Sequence, residues 1–424
     1  MAQAKASVDI DRANQEAFDR LCKSEPILVD VRPAIEVVPG MTKETVLTSG
    51  PLMAWGDYVG GQRAALIGGA LYEGLAQSDE EADGKFAKGA IKVGGCQAYG
   101  CVGSVAGIYT ATMPVFVVEN RTYGNTGFCN FYEGKTKDRL CYGVYNDEVV
   151  RRLGNIQNVL GPVLGEAVRR SGGIALKPIM KRALHMGDEL HSRNTAASFM
   201  FSDLLFPYLL DLVDEERFSR QTIKDVLAAL TEDNYFFLRL SMAGAKSTAD
   251  AAGGIEGSSV VTGMAINCRG FAIRVSGLGD QWFLGSHASV EAKLFDGHTE
   301  DEITWMGGES LMAETVGLGG FAQAAAFALQ AYQGGSPEAM VENNKAMYEI
   351  TVGEHTDYKI PFLAYRGTPT GIDIRRVLEK RIYPVIDAGI PGRDGGQIGA
   401  GVVRAPRDCF EMALQAFSDK YQNT

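Results

Sequence analysis

The chain has 424 residues, 46% of them hydrophobic and 22% charged, with a formal net charge of -11. That length exceeds one ordinary core and predicts two or three domains of a soluble globular protein. An acidic surface (pI ≈ 5.1) excludes a nucleic-acid partner, because phosphate binding needs basic residues.

No apolar run reaches the ~18 residues of a membrane span, so no membrane partner is expected. The opening MAQAKASVDIDRANQ has no apolar h-region and does not read as a signal peptide. Seven cysteines, an odd number, are scattered from Cys22 to Cys409. They fit free thiols in a reducing cytoplasm rather than a disulfide framework.

Apolar residues at helical spacing predict a helix over Val8–Lys23. Pro26–Val31 reads as a strand closed by Pro33. Arg63–Ala76 reads as a closely packed helix, and the acidic residues 78–85 as a surface loop. Between Gly94 and Asn120 a Gly/Ser/Cys-rich loop precedes an apolar run ending in Val115–Val118. That is bare backbone against a buried strand, a construction that suits tight packing or an anion pocket. Tyr123–Gly143 reads as irregular.

The pattern then turns helical. Helices are predicted from about 160 to Gly172-Gly173 and over Leu176–Leu184, Ala196–Leu212, Gln221–Leu230 and Asn234–Ala251. Beyond Gly253-Gly254, Val260–Asn267 and Phe271–Ser276 read as a hairpin around Cys268-Arg269-Gly270. Phe321–Gln333 reads as one Ala-rich helix, Ile372–Ile386 as a helix or helix-to-strand passage, and Ile390–Val403 as a Gly-rich loop. The fold class is therefore multidomain α/β (α+β). Two mixed α/β domains, 1–154 and 253–424, flank a mostly helical domain, 155–252.

The densest polar cluster is His185-Met-Gly-Asp188-Glu189-Leu-His191-Ser-Arg193-Asn194. At about 100° per residue, an unbroken helix would put His185, Asp188, Glu189 and Ser192 on one face and His191 and Asn194 on the other. Either this is a solvated helix face with a buried His191, or the helix ends near Gly187 and Arg193 and Asn194 line an anion or amide pocket. A zinc site fits less well, because the spacing matches no standard motif. Gly317-Leu-Gly319-Gly320 before the expected helix offers N–H groups at a positive helix end. Nearby Glu309 and Glu314 would oppose an anion there. Asp280, just past the hairpin, is either a substrate-orienting carboxylate or an Asx-type turn. Cys96 and Cys101 have no histidine near in sequence to activate a thiolate.

Together, several blocks resemble a bacterial family of formerly unknown function that includes YlbE and YahG. They are Ala13-Asn14-Gln15 with Pro26–Val31, Gly60–Ala76, Gly103–Val118, His185–Ser198, Gly277–Gly285, Gly307–Ala325 and Gly371–Pro406. The resemblance extends to the AllG-type subunit of oxamate carbamoyltransferase. It implies an α/β fold with a helical insert and a place in cytoplasmic purine and allantoin catabolism. The implied reaction turns oxalurate and phosphate into oxamate and carbamoyl phosphate, with AllF-like and AllH-like partner subunits.

This chain departs from the AllG pattern at two places. Cys96-Gln97-Ala98-Tyr99 stands where a Cys-His-His stretch is expected, and Pro391-Gly392-Arg393 where a histidine is expected. It reads as a diverged member. Candidate catalytic residues are His185, His191 and Asp280. Candidate substrate- or anion-binding residues are Gly103, Ser104, Arg193, Asn194, Gly317, Gly319, Gly320, Arg393 and Gln397. No metal or organic cofactor is expected; phosphate or carbamoyl phosphate enters as substrate, with a small ureido or amide compound. A homo-oligomeric state is expected. The alternatives are a scaffolding or regulatory subunit without chemistry, and a stand-alone amidohydrolase on ureido compounds.

Overall fold

Asp9 begins the first helix, accepting the Arg12 N–H at 3.0 Å, and Ile10–Lys23 buries Ala13, Ala17, Phe18 and Leu21. The computed structural model of the chain describes residues 8–232 and 235–421. Pro26–Pro33 pairs antiparallel with Pro114–Asn120 along its length, with a bulge between Leu28 and Asp30. These strands are central in a five-stranded sheet ordered Cys101–Val102, Thr126–Asn130, Pro114–Asn120, Pro26–Pro33, Ile174–Ala175. Only the Cys101–Val102 edge runs parallel to its neighbour. Thr45–Thr48 and Lys92–Gly95 form a separate parallel pair.

Helices Gly161–Arg170, Leu176–His185, Thr195–Asp214, Arg220–Thr231 and Leu238–Ala251 follow, as their apolar periodicity predicts. The expected start of the last one, Asn234, lies outside the described residues. Thr195–Asp214 is long and apolar enough, by length and composition, to cross a membrane. It buries Phe201, Leu205, Leu209 and Leu212 in the main core and exposes Phe199, Phe206 and Leu210.

The last third is built on three antiparallel sheets. Val261–Asn267, Gly270–Val275 and Trp282–Leu284 form the first. Ser289–Leu294, Gln397–Arg404 and Val385–Pro391 form the second. Thr351–Ile360 and Arg366–Ile372 form the third. The largest apolar core draws on all three expected domain spans: Leu28 and Phe116, Val163 and Phe201, Met312 and Ala324 all belong to it. The expected boundaries at 154 and 252 therefore do not separate independent cores.

Four local expectations give way. Residues 79–87 are helical rather than loop, because Ser78 accepts the Glu81 N–H and three acidic residues sit at the positive helix end. Thr126–Asn130, expected to be irregular, is a buried strand. Ile390–Val403 is not a loop but the turn and arms of the Val385–Pro391/Gln397–Arg404 hairpin. The Ala-rich stretch breaks into three single 3-10 turns and the short helix Gln330–Gln333. Side chains from elsewhere hold it in that shape: Asn344 Oδ1 accepts the Ala324 N–H at 2.7 Å, and the Gln323 amide donates to Asp387.

Phe116 is fully buried, stacks on Phe131 at 4.2 Å and meets Phe236 edge-on at 6.1 Å. Phe116→Ala is expected to cost about 3–5 kcal/mol, read as a lowered midpoint in chemical denaturation.

Candidate functional site

A cavity of about 80 Å³ opens between loop 103–105, the segment 132–142, the start of helix Leu238–Ala251, loop 303–311 and the strand Val385–Pro391. At roughly 10–15 Å³ per water on this measure, it holds about five to eight waters, the size of a small metabolite. Ile266, Ile303, Leu311 and Ile390 make apolar walls, while Arg139, Arg239, His191, Ser104, Ser310 and Gln397 bring polar groups.

The two arginines define its charge. Arg139 is buried, lies over the Tyr142 ring at 4.5 Å, and has an Nε without a partner. Glu133 fixes the turn that follows it, accepting the N–H groups of Leu140 (2.6 Å) and Cys141 (2.9 Å). Arg239, in the first turn of an almost wholly buried helix, donates from Nη1 to Asn130 Oδ1 at 2.8 Å and leaves Nε unpartnered. Among the described residues, neither arginine forms an ion pair. A guanidinium keeps its charge at any physiological pH. Glu133 acts on Arg139 without a direct ion pair and spends its oxygens on backbone N–H groups, so the cavity suits an anion.

One imidazole faces this anion site. The helix Leu176–His185 ends before Gly187 (φ 95), and residues 188–194 fold inward as a loop. Glu189 organises that loop, accepting the N–H groups of His191 (3.2 Å) and Arg193 (2.8 Å), with Ser192 N–H as a third donor. His191 lines the cavity, and its Nδ1 lies 2.8 Å from Glu314 Oε1. Nε2 has no protein partner among the described residues. Burial pulls the imidazole pKa down, but the Glu314 charge and hydrogen bond override it and raise it above the ordinary value. Gly319 (φ 58) permits this approach: a Cβ there would lie 2.1 Å from Glu314 Oε1.

The other expected site residues scatter. His185 is exposed at its helix end, edge-on to Tyr365 at 5.5 Å. Asp280 is fully exposed, 3.8 Å from Arg274. Neither lines the cavity. Arg193 Nε donates to the Gly187 carbonyl (3.0 Å) and sits 3.6 Å from Asp188, away from the anion site. Asn194 supports the loop through the His191 carbonyl, at 2.9 Å. Arg393 is exposed and bonded to the Asp301 carbonyl. Ser104 and Gln397 do line the cavity.

The glycine loops are not open anion cradles, because their N–H groups are already spent. Gly103 N–H donates to Glu309 (2.9 Å), Gly320 N–H to Glu314 (2.9 Å), Gly319 N–H to the Glu189 carbonyl (2.7 Å) and Gly317 N–H to the Glu314 carbonyl (3.1 Å). What starts at Gly317–Gly320 is a single 3-10 turn, Gly319–Phe321, not the expected Ala-rich helix. Arg139 and Arg239 escaped the sequence reading. The available signal was a lone arginine inside the apolar run Phe236-Phe237-Leu238-Arg239-Leu240; Arg139 carried none. All seven cysteines are buried, and burial pushes the thiol of Cys141, at the cavity wall, well above its usual range. It is not poised as a thiolate.

A small cavity lined by two arginines and a carboxylate-backed imidazole thus sits in a mixed α/β fold. Residues 91–310 match the family described as oxamate carbamoyltransferase subunit AllG. The chain is 36% identical to the Escherichia coli K12 protein of that name over 97% of this chain and 98% of the relative. It is 38% identical to the uncharacterized YahG of the same organism, over 99% of this chain and 89% of the relative. The crystal structure of a conserved protein of unknown function from Enterococcus faecalis V583 superposes with a TM-score of 0.94 at 38% identity, covering 98% of this chain and all of that one. The chain belongs to the AllG family.

Buried acids set the pH dependence of stability. Burial pushes Asp188 and Glu309 up to about 7, and burial with the Glu314 charge pushes Asp387 up to about 6. Unfolded carboxyls titrate near about 4, so the folded state holds protons that the unfolded chain has released. That stabilisation is complete below about pH 4 and is lost as pH rises through 6–7. The melting temperature is expected to fall between pH 5 and pH 8, and Glu309→Gln to flatten the slope by one group's share, about 3 kcal/mol. Thermal scans across that range check both.

Proposed function

We propose that this protein is a subunit of a carbamoyltransferase in purine and allantoin nitrogen catabolism. It acts in a complex with AllF-like and AllH-like subunits, in the cytoplasm. The reaction is oxalurate plus phosphate giving oxamate and carbamoyl phosphate, or its counterpart on a related ureido compound. The observation that carries this reading is the pair of buried, unpaired guanidiniums, Arg139 and Arg239, beside the Glu314-backed His191 in a chain of the AllG family.

The chemistry asks little more of the protein. A phosphate oxygen attacks the ureido carbonyl carbon, the C–N bond to oxamate breaks, and the leaving nitrogen takes a proton. Arg139 and Arg239 neutralise the phosphate or the substrate carboxylate and stabilise charge in the transition state. His191, whose protonated form Glu314 favours, is available through Nε2 as the acid for the leaving nitrogen and as the base in reverse. No metal or organic cofactor takes part in these steps. Ser104 and Gln397 contact the substrate's amide groups.

A second reading, a binding subunit without chemistry, draws on Cys96-Gln97-Ala98-Tyr99 and Pro391-Gly392-Arg393, where the family pattern carries histidines. The two are separated by assaying the assembled complex for phosphate-dependent release of carbamoyl phosphate from oxalurate. His191→Ala is expected to lower kcat by about 10²–10⁴ with assembly intact. Arg139→Ala is expected to raise KM at least about tenfold, by loss of one charge-assisted contact. Glu314→Gln is expected to move the alkaline fall of activity to lower pH, because it removes the charge that keeps His191 protonated. Unchanged turnover in His191→Ala would sink the catalytic reading and favour the second. Turnover without phosphate would point instead to an amidohydrolase.

A further inference from the structure

The cavity that holds Arg139, Arg239 and His191 has two unlike sides. The cations and the imidazole come from the segment 132–142, the helix Leu238–Ala251 and the loop 188–194. The other side is apolar and belongs to a single core cluster of the last third, with Val290, Ile303, Trp305, Ile390 and Val403 in it.

Sheet register builds that apolar wall. Val290 and Val403 stand directly opposite each other in the pair Ser289–Leu294/Gln397–Arg404, so their side chains share a face. Val403 is also opposite Ile386, and Ile390 lies on the face of Ile386, four residues along its strand. The Thr304 N–H donates to the Pro391 carbonyl at 3.1 Å, which lays Ile303 and Trp305 beside the sheet. The Trp305 indole stacks on the exposed His287 ring, with centroids 5.2 Å apart and planes 7° from parallel.

The uncommitted polar groups lie with the arginines. Arg139 Nε and Arg239 Nε have no partner, and the same holds for His191 Nε2 among the described residues. By contrast, Gln397 Nε2 already donates to the Gly399 carbonyl (2.9 Å) and to the Tyr332 hydroxyl, and the Tyr235 and Tyr332 hydroxyls pair at 2.6 Å. Val290, Ile303 and Trp305 are only half-buried around this cavity, so hydrocarbon there stays uncovered. Oxalurate is polar along its whole length. It would set carbonyl and amide groups against that hydrocarbon without partners, which costs desolvation. A ligand methyl group in the same place would instead remove apolar surface from water on both molecules.

We propose that the cavity takes a ureido acid with a short branched aliphatic group in preference to oxalurate, and that Val290 and Trp305 set this preference. The inference rests on the reading above for the ureido head, and within it selects the related ureido compound. The carboxylate sits on the arginines, the ureido group beside His191, and the aliphatic group against Val290, Ile303 and Trp305.

The test is calorimetric titration of the full-length protein with oxalurate, hydantoate (ureidoacetate) and N-carbamoylvaline. The last adds an isopropyl group to hydantoate and leaves the head unchanged. At about fourfold per buried carbon, N-carbamoylvaline is expected to bind at least about tenfold tighter than either of the others. Trp305→Ala and Val290→Thr are each expected to shrink that ratio at least about threefold. Val290→Thr keeps the side chain's shape, so it decides alone if Trp305→Ala does not fold. N-carbamoylvaline binding no tighter than hydantoate overturns the proposal. So does a ratio that neither variant moves, or no binding of any of the three by about 10 mM. Turnover separates this from the transferase reading. A tenfold ratio without phosphate-dependent release of carbamoyl phosphate from any of the three fails that reading alone, whereas preferred turnover of oxalurate fails this inference alone.

Discussion

Glu314 carries a carboxyl on which three segments of the chain converge. It is completely buried, and its Oε1 accepts the N–H groups of Gly320 and Asp387 while lying 2.8 Å from His191 Nδ1. Those contacts bind together the loop 188–194, the turn 317–320 and the strand Val385–Pro391. A buried charge must be held by donors or by a counter-charge. Here the donors are backbone amides and the counter-charge is an imidazole that can gain or lose a proton. The site's proton and the packing of three segments depend on one interaction.

The same rule explains why the glycine loops and the anion site are different places. Loops 50, 103 and 317–320 have the bare backbone of an anion cradle, but the carboxyl groups of Glu309 and Glu314 already occupy them. External anions are left to two buried guanidiniums at the cavity, Arg139 and Arg239. The acids and the arginines divide the cavity's surroundings. At the cavity, Glu309 and Glu314 are held by backbone donors, while the guanidiniums of Arg139 and Arg239, which cannot shed their charge, form no ion pair among the described residues. Elsewhere buried acids such as Asp250 pair with Lys246 and Arg274.

Much of the secondary structure was legible from periodicity. The strands Pro26–Pro33 and Pro114–Asn120, the helices from 161 to 251 and the hairpin at Cys268-Arg269-Gly270 depend on local apolar pattern and turn chemistry, and they form as expected. The Ala-rich stretch 321–333 did not, because Asn344 and Asp387, distant in sequence, claim its polar groups. Of the polar cluster 185–194, the break at Gly187 was readable. Which side chains turn inward was not, because that is fixed by Glu189 capping its own loop and by Glu314, more than a hundred residues away.

By itself the sequence determined the family, the α/β class, the net negative charge and the segment from which His191 comes. All of these rest on local pattern or on order along the chain. Tertiary structure decided that His191 rather than His185 or Asp280 meets the cavity, that Arg139 and Arg239 stand there unpaired, and that the glycine amides are already taken. Each of those outcomes is a matter of which charges are buried next to which, and burial is a property of packing between segments remote in sequence.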